Sequence, residues 1–274
     1  MNLPIFINWL GGKRRLITQI DPYLPTKVER YFEPFLGGGA MFFYIKQKYN
    51  LKHSTISDIN EDLIQAFKTV RDTPKELIEE LNYLSNKDSE KFYYKLRDLF
   101  NSKKINGTKR SASFIYFTKS CFNAVYRVNQ KGEFNVPYGY HKNREIFNAE
   151  NILFASKLLQ GTIIKTQDYN NILPYIKRKD LIYLDPCYDP IKRTSFVRYT
   201  PSKFSIEDRK KLSIFMHQLN SRGANVFLSN NNISEVKNIY KKENFRINYI
   251  ESAKCVNVNP NGRGRISELL ITNY

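Results

Sequence analysis

The sequence predicts an α/β protein: a mostly parallel seven-stranded sheet with helices on both faces, interrupted by a helical insertion. Three observations carry that expectation. Short strand-like runs alternate with helical patterns from Tyr31 onward, the order that builds strand–helix–strand units. Four of the strand ends carry an acid, Glu33, Asp58, Asp168 and Asp185, and ligands of such sheets lie beyond the carboxyl ends of the strands. The alternation fails between about residues 74 and 155, where the pattern turns helical and polar.

The elements follow in chain order. YFEPF (31–35) reads as a strand entering a loop. Gly37-Gly38-Gly39 follows, where missing side chains permit close backbone approach, and AMFFYIKQKY reads as an apolar helix. TISD (55–58) ends a second strand and leads into the helix NEDLIQAFKTVRD. GTIIKTQD (161–168) is a third strand and LIYLDP (181–186) a fourth. FSIEDRKKLSIFMHQLNSRG is a helix, ANVFLSN a strand and ISEVKNIYKK a helix. FRINYIES and ISELLITNY close the chain as strands.

The totals bound the class. A chain of 274 residues suits one large α/β domain, with or without an insertion. Hydrophobic residues make up 41%, enough for a sizeable core, which excludes a disordered chain. Lys and Arg number 44 against 26 Asp and Glu, a formal charge of +18. A field of that sign favours polyanions, nucleic acid ahead of an acidic membrane. Between Lys87 and Glu145, 13 basic residues stand against 5 acidic ones, a density about twice that of the whole chain. Cys121, Cys187 and Cys255 are odd in number and scattered. That argues against a disulfide framework or a zinc site and for a reducing compartment, so no metal is expected. No apolar run approaches the ~18 residues of a membrane span. The apolar start MNLPIFINWL has its basic residues after it rather than before, so no secretory signal is expected.

LIYLDPCY poses the chemical question: a strand ends on a carboxylate, a proline and an aromatic ring. An exocyclic amine on a nucleobase is a poor nucleophile because its lone pair is delocalised into the ring. Two acceptors on its two hydrogens pull the nitrogen toward a reactive, tetrahedral shape. The Asp185 carboxylate and the Pro186 carbonyl supply such a pair, and proline's restricted φ steadies the carbonyl. Tyr188 can stack on the base, a contact worth about 1–3 kcal/mol. A base reaches such a pocket by leaving its duplex. Alone, the same residues also fit an ordinary strand-terminating turn. The glycine run lacks the G-x-G-x-x-G spacing of a dinucleotide site. Glu33 beside it would repel a pyrophosphate and suits a cationic, amino-acid-bearing cofactor. A nicotinamide dehydrogenase is poorly supported, because that fingerprint is absent and it gives no reason for the basic stretch. Asp58 is placed to accept from ribose hydroxyls.

Taken together, NWLGGKRRL, YFEPFLGGG, SDIN, FNAVYRVNQKGEFNVPYG, LDPCY, LSNNN and GRGRISELLITNY resemble the Dam family (class alpha) of DNA adenine-N6 methyltransferases, in that family's order and over nearly the whole chain. The resemblance implies a Rossmann-like methyltransferase sheet built from residues 1–73 and 156–274. It implies an inserted small helical target-recognition domain at residues 74–155. The implied cofactor is S-adenosylmethionine. Trp9 and Lys13 match the segment that closes over it, Glu33, Pro34, Phe35 and Gly37 its loop, and Asp58 its ribose. Asp168 matches the acid near its adenine, and Asp185 also borders its methionine end. Asp185, Pro186 and Tyr188 match the catalytic tetrad, with Cys187 where the family has proline.

The implied substrate is an adenine flipped from double-stranded DNA in a GATC-like site. Arg127 matches the guanine reader, since bidentate Arg to O6 and N7 is the commonest specific contact. Asn123, Val125 and Pro137 fall where the family touches neighbouring bases. Lys119, Lys131 and Lys142 read as phosphate contacts, which add affinity without sequence information. A cytoplasmic, DNA-associated enzyme follows, with no obligatory protein partner and with a cognate restriction endonuclease as a conceivable companion. The alternative is a relative that binds nucleic acid but transfers nothing, because Cys187 loosens the tetrad.

Overall fold

The computed structural model describes residues 1–141, 145–186, 205–242, 245–253 and 265–274. Its centre is a seven-stranded sheet in the order β3-β2-β1-β4-β5-β7-β6. The strands are β1 (Arg30–Glu33), β2 (His53–Asp58), β3 (Thr162–Thr166), β4 (Leu181–Leu184), β5 (Asn225–Asn231), β6 (Arg246–Ala253) and β7 (Arg265–Thr272). The ladders joining β1 to β5 are parallel, while β7 runs antiparallel to both β5 and β6. The seven expected strands are therefore all present. β4 is buried along its whole length, as a central parallel strand covered on both faces must be.

Local chemistry starts the helices. The first helices are α1 (Ile17–Ile20), α2 (Ala40–Lys48) and α3 (Glu61–Asp72). The Asn60 side chain accepts from the Leu63 N–H to cap α3, and Glu61 and Asp62 meet its positive end. Pro74 opens α4 (Pro74–Asn86), where its missing N–H costs nothing. Ser205 and Asp208 form a reciprocal capping box at the start of α8 (Ile206–Ser221). The other helices are α5 (Glu90–Asn101), α6 (Gly107–Ser120), α7 (Ala149–Leu159) and α9 (Ser234–Lys242). No described helix is long and apolar enough to cross a membrane.

Alternation along the strands sends side chains to two cores. Tyr31, Tyr183, Phe227 and Leu270 join the first, with α2, α3, the N-terminal segment and the insertion. Phe32, Ile182, Leu184, Val226, Leu228 and Ile271 join the second, under α8 and α9. The insertion shares the first core: Phe67 of α3, Leu77 of α4 and Phe114 of α6 belong to one buried cluster. α6 is less polar in its setting than its sequence suggests, for Ser111, Ser113, Thr118 and Ser120 are buried along with Phe114, Ile115 and Phe117. Small hydroxyls tolerate this burial by bonding locally; Ser113 and Thr118 donate to the carbonyls of Lys109 and Ile115. The expected junction at residues 155–156 falls inside α7.

β1 and β4 are neighbours, with β2 beyond one and β5 beyond the other. The chain thus winds outward in both directions from the β1–β4 pair. In open sheets of this kind ligands bind at such a switch point, beyond the carboxyl ends of the strands.

Candidate active site

Glu33 is the last residue of β1. It is 2% exposed and accepts a hydrogen bond from the Tyr31 hydroxyl at 2.7 Å. Burial pushes its carboxyl well above the ordinary range, and nearby Asp185 pushes it further; the Tyr31 and Phe42 bonds pull the other way. Asp58 ends β2. Its two oxygens accept from the Gly37 N–H at 3.2 Å and the Asn60 N–H at 3.0 Å. Burial raises its carboxyl too, against those backbone bonds. The Ile59 backbone bonds it as well, and of the carboxylate's roughly four acceptor sites one stays open for a ligand hydroxyl.

The glycine loop lies between these acids. Gly37 has φ +48°, and a Cβ there would come within 3.0 Å of the Trp9 ring. The bare backbone lets the indole settle on the loop. The same indole stacks with Tyr126 at 5.9 Å and meets Phe114 at 6.2 Å, joining the loop to the insertion. Pro34 is buried and carries the chain out of β1. Phe35 stacks on Tyr169 at 5.2 Å, which brings the loop after β1 against the turn after β3. Asp168 is exposed and caps that turn, accepting from the Asn170 N–H at 3.0 Å.

Asp185 follows β4. Its Oδ1 lies 2.9 Å from Nζ of Lys13, which is 4% exposed and also donates to the Gly11 carbonyl at 3.0 Å. Pro186 is buried beside it. Cys187 and Tyr188 lie outside the described residues, as does Lys142. Two strands add what the sequence reading passed over. Glu268 of β7 stands opposite Asn231 of β5. Its Oε2 is 3.8 Å from Lys13 Nζ. Oε2 of Glu268 and the Oδ1 atoms of Asn231 and Asn232 are buried without hydrogen bonds. LSNNN and SELLITNY carried those residues in the family resemblance, but only strand pairing shows that they meet.

The cluster is therefore rich in acceptors, with Lys13 as its described counter-cation. A groove of about 370 Å³ lies elsewhere, lined by Arg30, Phe32, His53 and Lys177 at the amino ends of the strands. Among the described residues no group of three or more His, Cys, Asp or Glu is placed to hold a metal ion.

The residues matched to target reading lie on a hairpin. Isolated bridges pair Cys121 with Tyr138 and Val128 with Phe134. Tyr126, Val128, Phe134 and Val136 turn inward and are buried. Asn123, Asn135 and Pro137 turn outward and are exposed, with Val125 and Arg127 half-buried among them. Arg127 Nε donates to Asn135 Oδ1 at 2.9 Å, which aims the guanidinium; Asn135 was not among the expected residues. Asn123 and Ala124 hold φ of +56° and +52°, and Phe122 beside them is 53% exposed. Lys131 sits exposed at the hairpin tip. Lys119 is turned inward: its ammonium donates to Asn8 Oδ1 at 3.0 Å, and burial lowers its pKa.

Fold and site define a doubly wound α/β protein with a cluster of acids at the carboxyl ends of its central strands and a separate hairpin of outward polar groups. The comparisons then name the family. The profile of the D12 class N6 adenine-specific DNA methyltransferases matches residues 9–254, and the chain belongs to that class. It is 41% identical to Type II methyltransferase M.MjaIII of Methanocaldococcus jannaschii, with both chains covered in full. It is 36% identical to Type II methyltransferase M1.LlaDCHI of Lactococcus lactis subsp. cremoris, over all of this chain and 96% of the relative. With the DNA adenine methylase of Vibrio cholerae it shares 29% identity over 97% of this chain and 94% of the relative.

Proposed function

We propose that the chain transfers a methyl group from S-adenosylmethionine to N6 of an adenine flipped out of double-stranded DNA. The observation that carries this reading is Asp185, held at the switch point by Lys13 2.9 Å away and followed by buried Pro186. The residues present fit the cofactor. An acceptor-rich pocket suits its amino group, and a protonated Glu33 can ionise against a cation. Asp58 keeps an acceptor site for a ribose hydroxyl. Gly37 lets Trp9 pack on the loop that would border the cofactor, since a Cβ there would strike the indole. When bound, the cofactor supplies an electrophilic methyl on a sulfonium.

The chain's own part is positioning. Trp9 and Lys13 close the pocket, and Glu33, Pro34, Phe35, Gly37, Asp58 and Asp168 line the cofactor's side of it. Asp185 and the Pro186 carbonyl accept the two amine hydrogens and leave a lone pair on N6. Tyr188 stacks the base. Holding reactants in register can supply about 7–11 kcal/mol of such a barrier. Residues 74–155 act as the target-reading unit. Arg127 reads guanine in a GATC-like site, Asn123 and the apolar pair Val125 and Pro137 meet neighbouring bases, and Lys131 and Lys142 hold phosphates. Lys119 supports the N-terminal segment through Asn8.

Expression in a bacterium without DNA methylation, followed by mapping of modified adenines, tests this directly. Methyl-N6-adenine at GATC supports the whole reading. Modification at another adenine site overturns the sequence assignment, and an unmodified genome overturns the transfer itself.

A further inference from the structure

Glu268 is an acid of the pocket to which the transfer chemistry assigns nothing. Its Oε2 is buried without a hydrogen bond, 3.8 Å from Lys13 Nζ. Lys13 is meanwhile bound to Oδ1 of Asp185 at 2.9 Å. The three side chains are largely shielded from water, at 5%, 17% and 16% exposure for Lys13, Asp185 and Glu268. Attraction between charges is stronger in such surroundings than in water, and a buried acceptor left unbonded is costly. One ammonium thus stands between two carboxylates. It bonds one and lies about 1 Å beyond hydrogen-bond length from the other. Asn231, opposite Glu268 in the ladder, adds another unbonded acceptor on the receiving side.

The ammonium and the target amine compete for the Asp185 carboxylate. The carboxylate that holds Lys13 is the one the target amine needs, and a bonded ammonium weakens it as an acceptor. Moving Lys13 off Asp185 costs less when a second carboxylate compensates its buried charge. We propose that Glu268 is a positioning residue that receives Lys13 when the amine reaches Asp185. The ammonium passes from one carboxylate to the other, and the acceptor is freed while the cation stays paired. Only a hydrogen bond moves; no proton or covalent bond changes hands. The proposal rests on Asp185 being the amine's acceptor.

The test compares binding of two duplexes, one with adenine at the target and one with purine, which lacks the amine. Wild type should prefer the adenine duplex. Glu268→Gln keeps the shape and removes the receiving charge. It should erase that preference and slow single-turnover transfer about tenfold or more, with purine-duplex affinity and thermal midpoint unchanged. Glu268→Asp, a charge on a shorter stem, should recover part of both. In a Lys13→Gln background, Glu268→Gln should add nothing, because there is no ammonium to receive. Wild-type preference and rate in Glu268→Gln overturn the hand-over, as do additive losses in the double variant. A lowered midpoint with equal loss on both duplexes also overturns it, since that marks a structural role. Asp185→Asn separates the two levels. If it transfers at the wild-type rate, the active-site assignment falls and the hand-over with it. If it is inactive while Glu268→Gln is unaffected, the hand-over alone falls.

Discussion

A carboxylate as enclosed as Glu33 favours its protonated form until a cation arrives. Binding of a cationic cofactor should therefore release a proton, and affinity should rise with pH until Glu33's raised pKa is passed. Calorimetry in two buffers of different ionisation heat reads this out, and equal heats would refute it. The same shift sets a stability trend. Folded Glu33 holds its proton above the unfolded pKa, so stability is full at low pH and declines as pH rises through the folded value. Asp58 acts in the same direction. Urea midpoints of the cofactor-free protein should fall with rising pH, less steeply in Glu33→Gln. Asp185→Ala should cut transfer about 10²–10⁴-fold while duplex binding persists; full activity would remove Asp185 from its role. Arg127→Ala should weaken discrimination at one base by about 1–3 kcal/mol, measured by competition between single-substituted duplexes. Equal weakening on every sequence would make Arg127 a phosphate contact.

At the scale of elements, α6 and the hairpin explain why a basic stretch can present ordered outward polar groups. Phe117 of α6 is fully buried and stacks on Phe134 of the hairpin at 4.8 Å, with Phe100 and Tyr93 at its edges. Phe117→Ala should cost about 3–5 kcal/mol in urea unfolding; a loss below 1 kcal/mol would show that the hairpin is not anchored there. The strands were legible because their apolar runs are short and their ends carry acids; YFE, TISD and LIYL each map onto a strand ending at or next to the expected residue. α6 was legible as a helix but not as a buried one, because Ser and Thr read as polar until their local backbone bonds are seen. Asn135, Glu268 and Asn231 were not legible as site residues. Each gains its meaning from a partner distant in the chain, and single-residue chemistry carries no sign of that partner.

At the scale of the whole molecule, the +18 charge implies binding that weakens steeply with salt. Lys131→Ala should reduce the slope of log affinity against log salt by about 1, equally on all sequences. A change confined to one sequence would make Lys131 a base reader. The sequence by itself determined the alternation of strands and helices, the acids at the strand ends, the basic insertion and the family. These are properties of residue type and order along the chain. Only the tertiary structure decided that Glu33 and Asp185 flank one switch point, that Trp9 joins the glycine loop to the insertion, and that Lys13 lies between Asp185 and Glu268. Those facts depend on strand order and on distances across the sheet, which folding sets by burying many side chains at once.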